Sequence, residues 1–458
     1  MDNKANAEML WSISSIAKGL RFFAPEMATL FFLKFTSDNA ERLGIEIGKL
    51  NKFDALVDLY TNDTINQADF LHHCSEIVCK AGMNEYGIAE HFAQFISTTG
   101  DVQTTKRLLS KFRQFDFADD PDNCYVAKLF NYYLTKDTGW DGLNKSAYAV
   151  ADLMANIAVT PSTNTIYDGF CGYGISLAAA SKKTPRVRLY GQDLVTNCVM
   201  VSAILQWLNF NKDFVLAAGN SVKAPLPGHK NCPRKFDAVI IDPPFGFRFE
   251  DDEISAFPEE YLAYKELTQR RGDWFFIQHA LAVLKSEGTA VVQVSMGTLF
   301  ATGKALEIRK TVVDNCHLKA IIEFPGGVVP GTSIPVSLMV FGASNTSDDV
   351  LMVNAASCDA EHFFTRLSKA RVELNSTGVE ELSNIVNNRI AVDGISRVVS
   401  LNEIKARNYI LTPSAYMAME QNVYSYHSLS DICTELKQLE TELTAVNDKL
   451  VAAILEVM

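Results

Sequence analysis

The chain has 458 residues, 48% of them hydrophobic and 21% charged, with 14 Pro and 25 Gly, a balance that excludes a disordered, fibrous or low-complexity protein. At about 150 residues per domain the length predicts about three structural units with a sizeable buried core. A net charge of -12 excludes a surface that is itself a broad basic platform, so any nucleic-acid contact must be local or lent by a partner.

The first residues, Met1 to Ala7, lack a basic stretch followed by an apolar core. No later apolar run approaches the roughly 18 residues needed to cross a bilayer, which predicts a soluble, cytoplasmic protein with no membrane contact. Residues 1 to about 135 show helical spacing, in Leu10, Ile13, Ile16 and Leu20 and then Met27, Leu30 and Phe31, and no strand alternation. The nearest approach to a metal cluster, His72-His73-Cys74 with Cys79, falls in this helical texture, where consecutive side chains diverge, and no metal is assigned. The nine cysteines, none in a Cys-x-x-Cys pair, fit reduced thiols. The basic stretch Lys106, Arg107, Lys111 and Arg113 reads as a solvated helix face, with a DNA contact as the alternative.

From about 136 to 400 short β-rich runs alternate with amphipathic segments. They begin at Thr165, Val187, Phe214, Phe236, Thr289, Lys319 and Val336. Seven strands with helices between the first five predict a doubly wound, mostly parallel α/β sheet. The stretch Phe324 to Gly331 is too short and too rich in Gly and Pro for a crossover helix, so the last two strands are expected to form a terminal antiparallel hairpin. Residues 401–458 end in an acidic helix whose Leu429, Ile432, Leu436, Leu439, Leu443, Val446, Leu450 and Ala453 alternate spacings of three and four. That coiled-coil seam needs a facing helix, in this chain or in a partner.

Three strand ends carry chemistry. The first runs into Asp168-Gly169-Phe170-Cys171-Gly172-Tyr173-Gly174, where glycines let a ligand approach the amides that open the next helix. A dinucleotide fingerprint would place a third Gly where Leu177 stands. The second strand ends in Asp193, placed to accept both hydroxyls of a ribose; the bland alternative is a helix cap at Asp168 and a surface acid at Asp193. The fourth strand delivers Asp242-Pro243-Pro244-Phe245 to the carboxyl end of the sheet. Two prolines remove two N–H donors, leaving a rigid loop of acceptors suited to an exocyclic amino group, beside a ring able to stack on a base. Cys171 in its glycine turn reads as small packing and not as a nucleophile.

Asp168 to Gly174 resembles motif I of the class I S-adenosylmethionine-dependent methyltransferases, and Asp242 to Phe245 is similar to motif IV of those that methylate amino groups. Phe275-Phe276-Ile277-Gln278-His279, Gly297 to Phe300, Ile308-Arg309, Ile321 to Gly326, Asn408-Tyr409 and Pro413 to Tyr416 resemble the methylation subunit of type I restriction-modification systems. So do Leu10-Trp11, Leu30 to Phe35 and the terminal helix, so the resemblance spans nearly the whole chain.

The resemblance implies a Rossmann-like methyltransferase that moves a methyl group from S-adenosyl-L-methionine to adenine N6 in duplex DNA, on a base flipped out of the stack. It implies Asp242, Pro243, Pro244 and Phe245 as catalytic residues. Asp168, Gly169, Phe170, Cys171, Gly172, Gly174, Asp193, Leu194, Asn220, Ser221 and Ser146 would hold the cofactor. The implied partners are DNA, a specificity subunit held by the terminal helix, a second copy of the chain and a restriction subunit. The chain departs from the pattern at Ser146-Ala147 for Thr-Pro, Gly169 for Pro, Asn220 for an acid and Asp242 for Asn. Two alternatives stay open: an rRNA base or a glutamine side chain as acceptor, or a non-catalytic assembly subunit that keeps the fold.

Overall fold

The computed structural model describes residues 24–98, 102–119, 121–122, 124–136, 147–184, 186–228, 232–264, 270–315, 317–330, 332–342 and 348–417, and then 436–437, 439 and 441–443. Leu10, Trp11, Ile13, Ile16, Leu20 and Ser146 lie outside the described residues, as does most of the terminal seam.

Residues 24–136 form helices and no strand among the described residues. The principal ones are α1 (Ala24–Asp38), α2 (Phe53–Thr61), α3 (Gln67–Lys80), α4 (Ile88–Thr98), α5 (Val102–Phe112) and α6 (Tyr125–Lys136). Helix α1 is apolar on nearly every side and buried throughout its middle, with Phe31 and Phe35 in ring contact with neighbouring segments. Its one buried cation, Lys34, is neutralised by Asp38 at 2.9 Å and Asp54 at 2.7 Å. Two members of the basic stretch are likewise ion-paired inside the helical part, Lys106 with Asp63 and Arg113 with Asp58. His72 and His73 lie against Glu76, while Cys74 is buried in the core.

The sheet is built from β1 (Thr165–Asp168), β2 (Arg188–Asp193), β3 (Phe214–Ala218), β4 (Phe236–Ile241), β5 (Leu284–Ser295), β6 (Leu318–Glu323), β7 (Val336–Gly342), β8 (Asp349–Asn354) and β11 (Ser396–Ser400), in the order β11-β8-β6-β7-β5-β4-β1-β2-β3. A separate antiparallel pair joins β9 (Phe364–Arg366) to β10 (Val372–Leu374). All seven expected strands form, but the main sheet has nine. The hairpin of β6 and β7 is antiparallel and not terminal, because β8 pairs parallel to β6 and β11 pairs antiparallel to β8. The expected crossover helix between β3 and β4 is also missing among the described residues, where turns replace it.

Helices α7 (Tyr148–Ala158), α8 (Ile175–Ser181), α9 (Thr196–Leu208) and α12 (Ser376–Asn387) pack with α1 on one face, while α10 (Gly272–Ala282) and α11 (Lys304–Asp314) cover the other. Strand alternation sorts the cores cleanly: Ala238 and Ile240, Val291, Ala320 and Ile322 enter the first, and Val239 and Ile241, Val292, Ile321 the second. The helical part is tied to the sheet through Trp207 of α9, whose indole N–H donates to Thr36 at 2.9 Å.

Residues 401–417 stay with the sheet. The Ser414 N–H donates to the Glu323 carboxylate at 2.9 Å, and Arg309 donates to the carbonyl of Tyr409 at 2.7 Å. In the segment after 417 the described residues are helical, and Leu436, Leu439 and Leu443 are exposed.

Candidate functional site

The carboxyl ends of β1, β2 and β4 open on a cavity of about 250 Å3. Such a crevice is where open α/β sheets bind ligands. Most of the residues expected from the sequence converge there: Asp168, Phe170, Cys171 and Gly172 from the first turn, Asp193 and Leu194 after β2, Asn220 and Ser221 after β3, and Asp242 and Pro244 after β4.

The turn after β1 is held by its own backbone. Asp168 Oδ1 accepts from the Phe170 N–H at 3.0 Å. Gly172 and Gly174 have φ of +50° and +75°, in the left-handed region where a Cβ is strained, and a Cβ on Gly174 would sit 2.1 Å from Ser202 Oγ. Gly169 lies behind the wall, its carbonyl accepting from the Ser221 hydroxyl; a Cβ there would lie 2.6 Å from the Tyr167 hydroxyl. Asp193 ties the two strand ends together, Oδ2 accepting from the Gly172 N–H and Oδ1 from the Val195 N–H, both at 2.9 Å. Asn220 Oδ1 accepts from the backbone N–H of Val222 at 2.8 Å and of Lys223 at 3.2 Å, so its oxygen is already engaged in its own turn.

Pro243 is buried, and Phe245 is half-buried against the first core and absent from the cavity wall. The aromatic surface on the wall comes instead from Phe247, 41% exposed and packed edge-on to Phe249 at 4.8 Å, and from Phe276 of α10, which meets Phe170 at 4.6 Å. Glu253 also lines the cavity. Its carboxylate accepts from the Glu250 N–H in a capping box that opens the short helix Asp251–Ala256. The Phe-x-Phe alternation just after the Pro-Pro loop was the available signal for Phe247 and Phe249. A further buried residue, Gln293 of β5, donates its side-chain N–H to Asp242 Oδ1.

Among the described residues the wall carries four carboxyl groups, Asp168, Asp193, Asp242 and Glu253, and no basic side chain. Burial pushes Asp168 well above the ordinary carboxyl value, with the Asp242 and Asp193 charges adding to the rise and the Phe170 N–H opposing it. Burial also raises Asp193, against the bonds from Val195 and Gly172. Cys171 is buried and desolvation drives its thiol far up. Behind the wall His279, fully buried, is held neutral at about 4 by desolvation, between the Tyr167 hydroxyl at 3.1 Å and the Tyr261 carbonyl at 3.3 Å.

The chain is 26% identical over 317 residues to the MpnII type I restriction enzyme methylase subunit of Mycoplasma pneumoniae, covering 64% of this chain and 57% of that one. It is 23% identical over 331 residues to the EcoEI methylase subunit of Escherichia coli, covering 67% and 64%. The alignments thus span little more than half to just under two thirds of these relatives. Among solved structures, the methyltransferase subunit of a Streptococcus thermophilus type I restriction-modification system superposes with a TM-score of 0.75 at 18% identity, over 91% of this chain and all of that one, which shows a shared fold. The family model described as N-6 DNA Methylase matches residues 144–423, a stretch that contains the whole sheet and every residue of the cavity wall, and the chain belongs to that family.

Proposed function

We propose that this chain transfers a methyl group from S-adenosyl-L-methionine to the N6 amino group of adenine in duplex DNA, as the modification subunit of a type I restriction-modification-like complex. The observation that carries the reading is the charge of the cavity. Four carboxyl groups and no base on the described wall offer the phosphates of a dinucleotide no cationic partner, and this holds with Asp168 and Asp193 raised by burial. The same wall suits a ligand with a sulfonium and an ammonium group, and its apolar part, Phe170, Leu194 and Val222, suits a purine.

Asp193 would accept the ribose hydroxyls, since each carboxylate oxygen has a lone pair beyond the one given to Gly172 or Val195. The turn from Asp168 to Gly174 would receive the rest of the cofactor, which supplies an electrophilic methyl group when bound. Asp242 and the Pro243 carbonyl accept the two hydrogens of the target amino group, drawing the nitrogen lone pair out of conjugation. Pro243 and Pro244 contribute no N–H to compete for those acceptors. Phe247, already exposed on the wall, offers the stacking face for the flipped base, worth about 1–3 kcal/mol. Alignment and electrostatics suffice for an in-line transfer without a covalent nucleophile.

The proposed partners are a specificity subunit, a second copy of this chain and a restriction subunit, in the cytoplasm; that the relatives are named as subunits of type I restriction enzymes supports assembly with other chains. No helix among the described residues is long and apolar enough to cross a membrane.

Asp242→Ala tests the reading. Tritiated methyl incorporation into DNA is expected to fall at least about 100-fold, while calorimetry shows cofactor affinity within about twofold of the parent, because the lost interaction serves the transition state. Near-parental incorporation by Asp242→Ala would place the catalytic loop elsewhere.

A further inference from the structure

Gln293 interrupts an otherwise apolar run, Ala290-Val291-Val292-Gln293-Val294, and is only 1% exposed. Burying a primary amide is costly unless it finds partners, so its place in the core asks for a reason. Strand parity supplies the geometry. Ala238 and Ile240 of β4 and Val291 of β5 enter the first core, while Val239, Ile241, Val292 and Val294 enter the second. Asp242 and Gln293, one step past Ile241 and two past Val291, therefore share the first face. The parallel register pairs Ile241 with Val292, which brings the next two residues, Asp242 and Gln293, to the same level on neighbouring strands. There Gln293 Nε2 donates to Asp242 Oδ1. The end of β5 is itself anchored, because the Asp273 carboxylate at the start of α10 accepts from Ser295 Oγ at 2.7 Å and from Thr298 Oγ1.

We infer that Gln293 is a positioning residue: its amide holds one oxygen of Asp242, fixes the plane of that carboxylate, and so sets the direction from which the amino hydrogen of the target base is accepted. The inference rests on the proposed role of Asp242. A carboxylate offers about four lone-pair sites, so the bond from Gln293 does not compete with the substrate; it removes torsional freedom that Asp242 would otherwise lose in each catalytic cycle. The pair is also polar in one sense: an amide donor facing a carboxylate is complementary, and a second carboxylate in its place is not.

The test measures kcat, the KM for DNA and the cofactor Kd on the assembled methylating complex. Gln293→Leu and Gln293→Met keep the volume and remove the donor. Each is expected to lower kcat about 10- to 100-fold, the range of a hydrogen bond to a charged group, with the cofactor Kd within about twofold. Gln293→Glu sets carboxylate against carboxylate and is expected to lower kcat at least as far. Adding Asp242→Asn to Gln293→Glu restores a donor–acceptor pair with its polarity reversed, leaving the asparagine carbonyl to face the base. The double variant is expected to recover at least about tenfold over Gln293→Glu alone. A residue that merely fills the core would not be rescued by a change at 242.

Parental kcat in folded Gln293→Leu or Gln293→Met overturns the inference, and so does a folded double variant no faster than Gln293→Glu. The Asp242→Ala control separates the two levels. If it is inactive while the Gln293 variants are unaffected, the positioning role alone fails; if it keeps methylating, the catalytic-loop reading fails and takes this one with it.

Discussion

At the scale of single residues, the departure at position 169 has a steric cause. The Tyr167 hydroxyl occupies the space of a Cβ on Gly169, and it cannot swing away without breaking its bond to His279, whose other ring nitrogen faces the Tyr261 carbonyl. Gly169→Ala is therefore expected to destabilise the protein by about 1–3 kcal/mol, the usual cost of overpacking. Tyr167→Phe removes the nearest atom and should return part of that loss, so a double-mutant cycle in urea will show coupling; strictly additive effects would refute the steric account. The neighbouring carboxyls predict a pH effect. Burial raises both Asp168 and Asp193 above the ordinary value of 3.8 in the folded protein. A raised carboxyl contributes stability at acidic pH and loses it as pH rises through the folded value, because the native state there holds a proton the unfolded chain has released. A cationic cofactor favours the ionised form of the same groups. Its binding should thus release protons and tighten as pH rises from 3.8 through the raised values, read as buffer-dependent calorimetric enthalpies. Buffer-independent enthalpies across that window would show that neither carboxyl changes ionisation on binding.

At the scale of elements, the strands that end in the site were the most legible. β4 and the second half of β5 are largely buried and carry the apolar runs Ala238 to Ile241 and Ala290 to Val292, and the ends of β1 and β4 are marked by Asp168 and Asp242. The runs that extend the sheet, Val350-Leu351-Met352-Val353 and Ser396-Arg397-Val398-Val399-Ser400, are short and lie beyond the chemistry. β11 pairs in the sheet only with β8, and its local pattern, with Arg397 exposed, suits a surface turn as well as an edge strand. That no crossover helix stands after β3 among the described residues has the opposite cause, since the joined β3 and β4 predict a connection without dictating its form. There Gln192 takes over part of a helix's work, its side chain accepting from the Leu226 N–H at 2.7 Å and donating to the Ala224 carbonyl at 3.0 Å. The Pro-Pro-Phe triplet does not say which way its aromatic turns. Phe245 turns inward to the core, and Phe247, two residues on, reaches the wall. Asn220 was legible as a polar residue at the third strand end, yet its Asx turn, which engages the oxygen, depends on the backbone of Val222 and Lys223.

At the scale of the whole molecule, a chain of net charge -12 whose candidate cavity carries four carboxyl groups on its described wall has little electrostatic attraction for duplex phosphates. If it methylates DNA, the cations that hold the duplex must come largely from another subunit, and the chain needs a surface that recruits one. In the terminal segment Leu436, Leu439 and Leu443 are helical and 55%, 57% and 63% exposed, and their spacings of three and four place them on one stripe. Leucines repeated in this way ask for a facing apolar surface, and the proposed specificity subunit is the partner they would meet. An unpaired aspartate buried in such a seam costs several kcal/mol, so Leu436→Asp combined with Leu443→Asp should weaken assembly at least about 1000-fold. The sheet lies outside the substituted segment, so cofactor affinity and the melting temperature of the catalytic part should stay at parental values. Size-exclusion chromatography of the copurified complex, with gel shifts on target DNA, checks both halves of the expectation. Should the double variant still assemble at parental affinity and the isolated chain bind its site unaided, the stripe does not recruit the DNA-reading partner and the positive charge must lie within this chain.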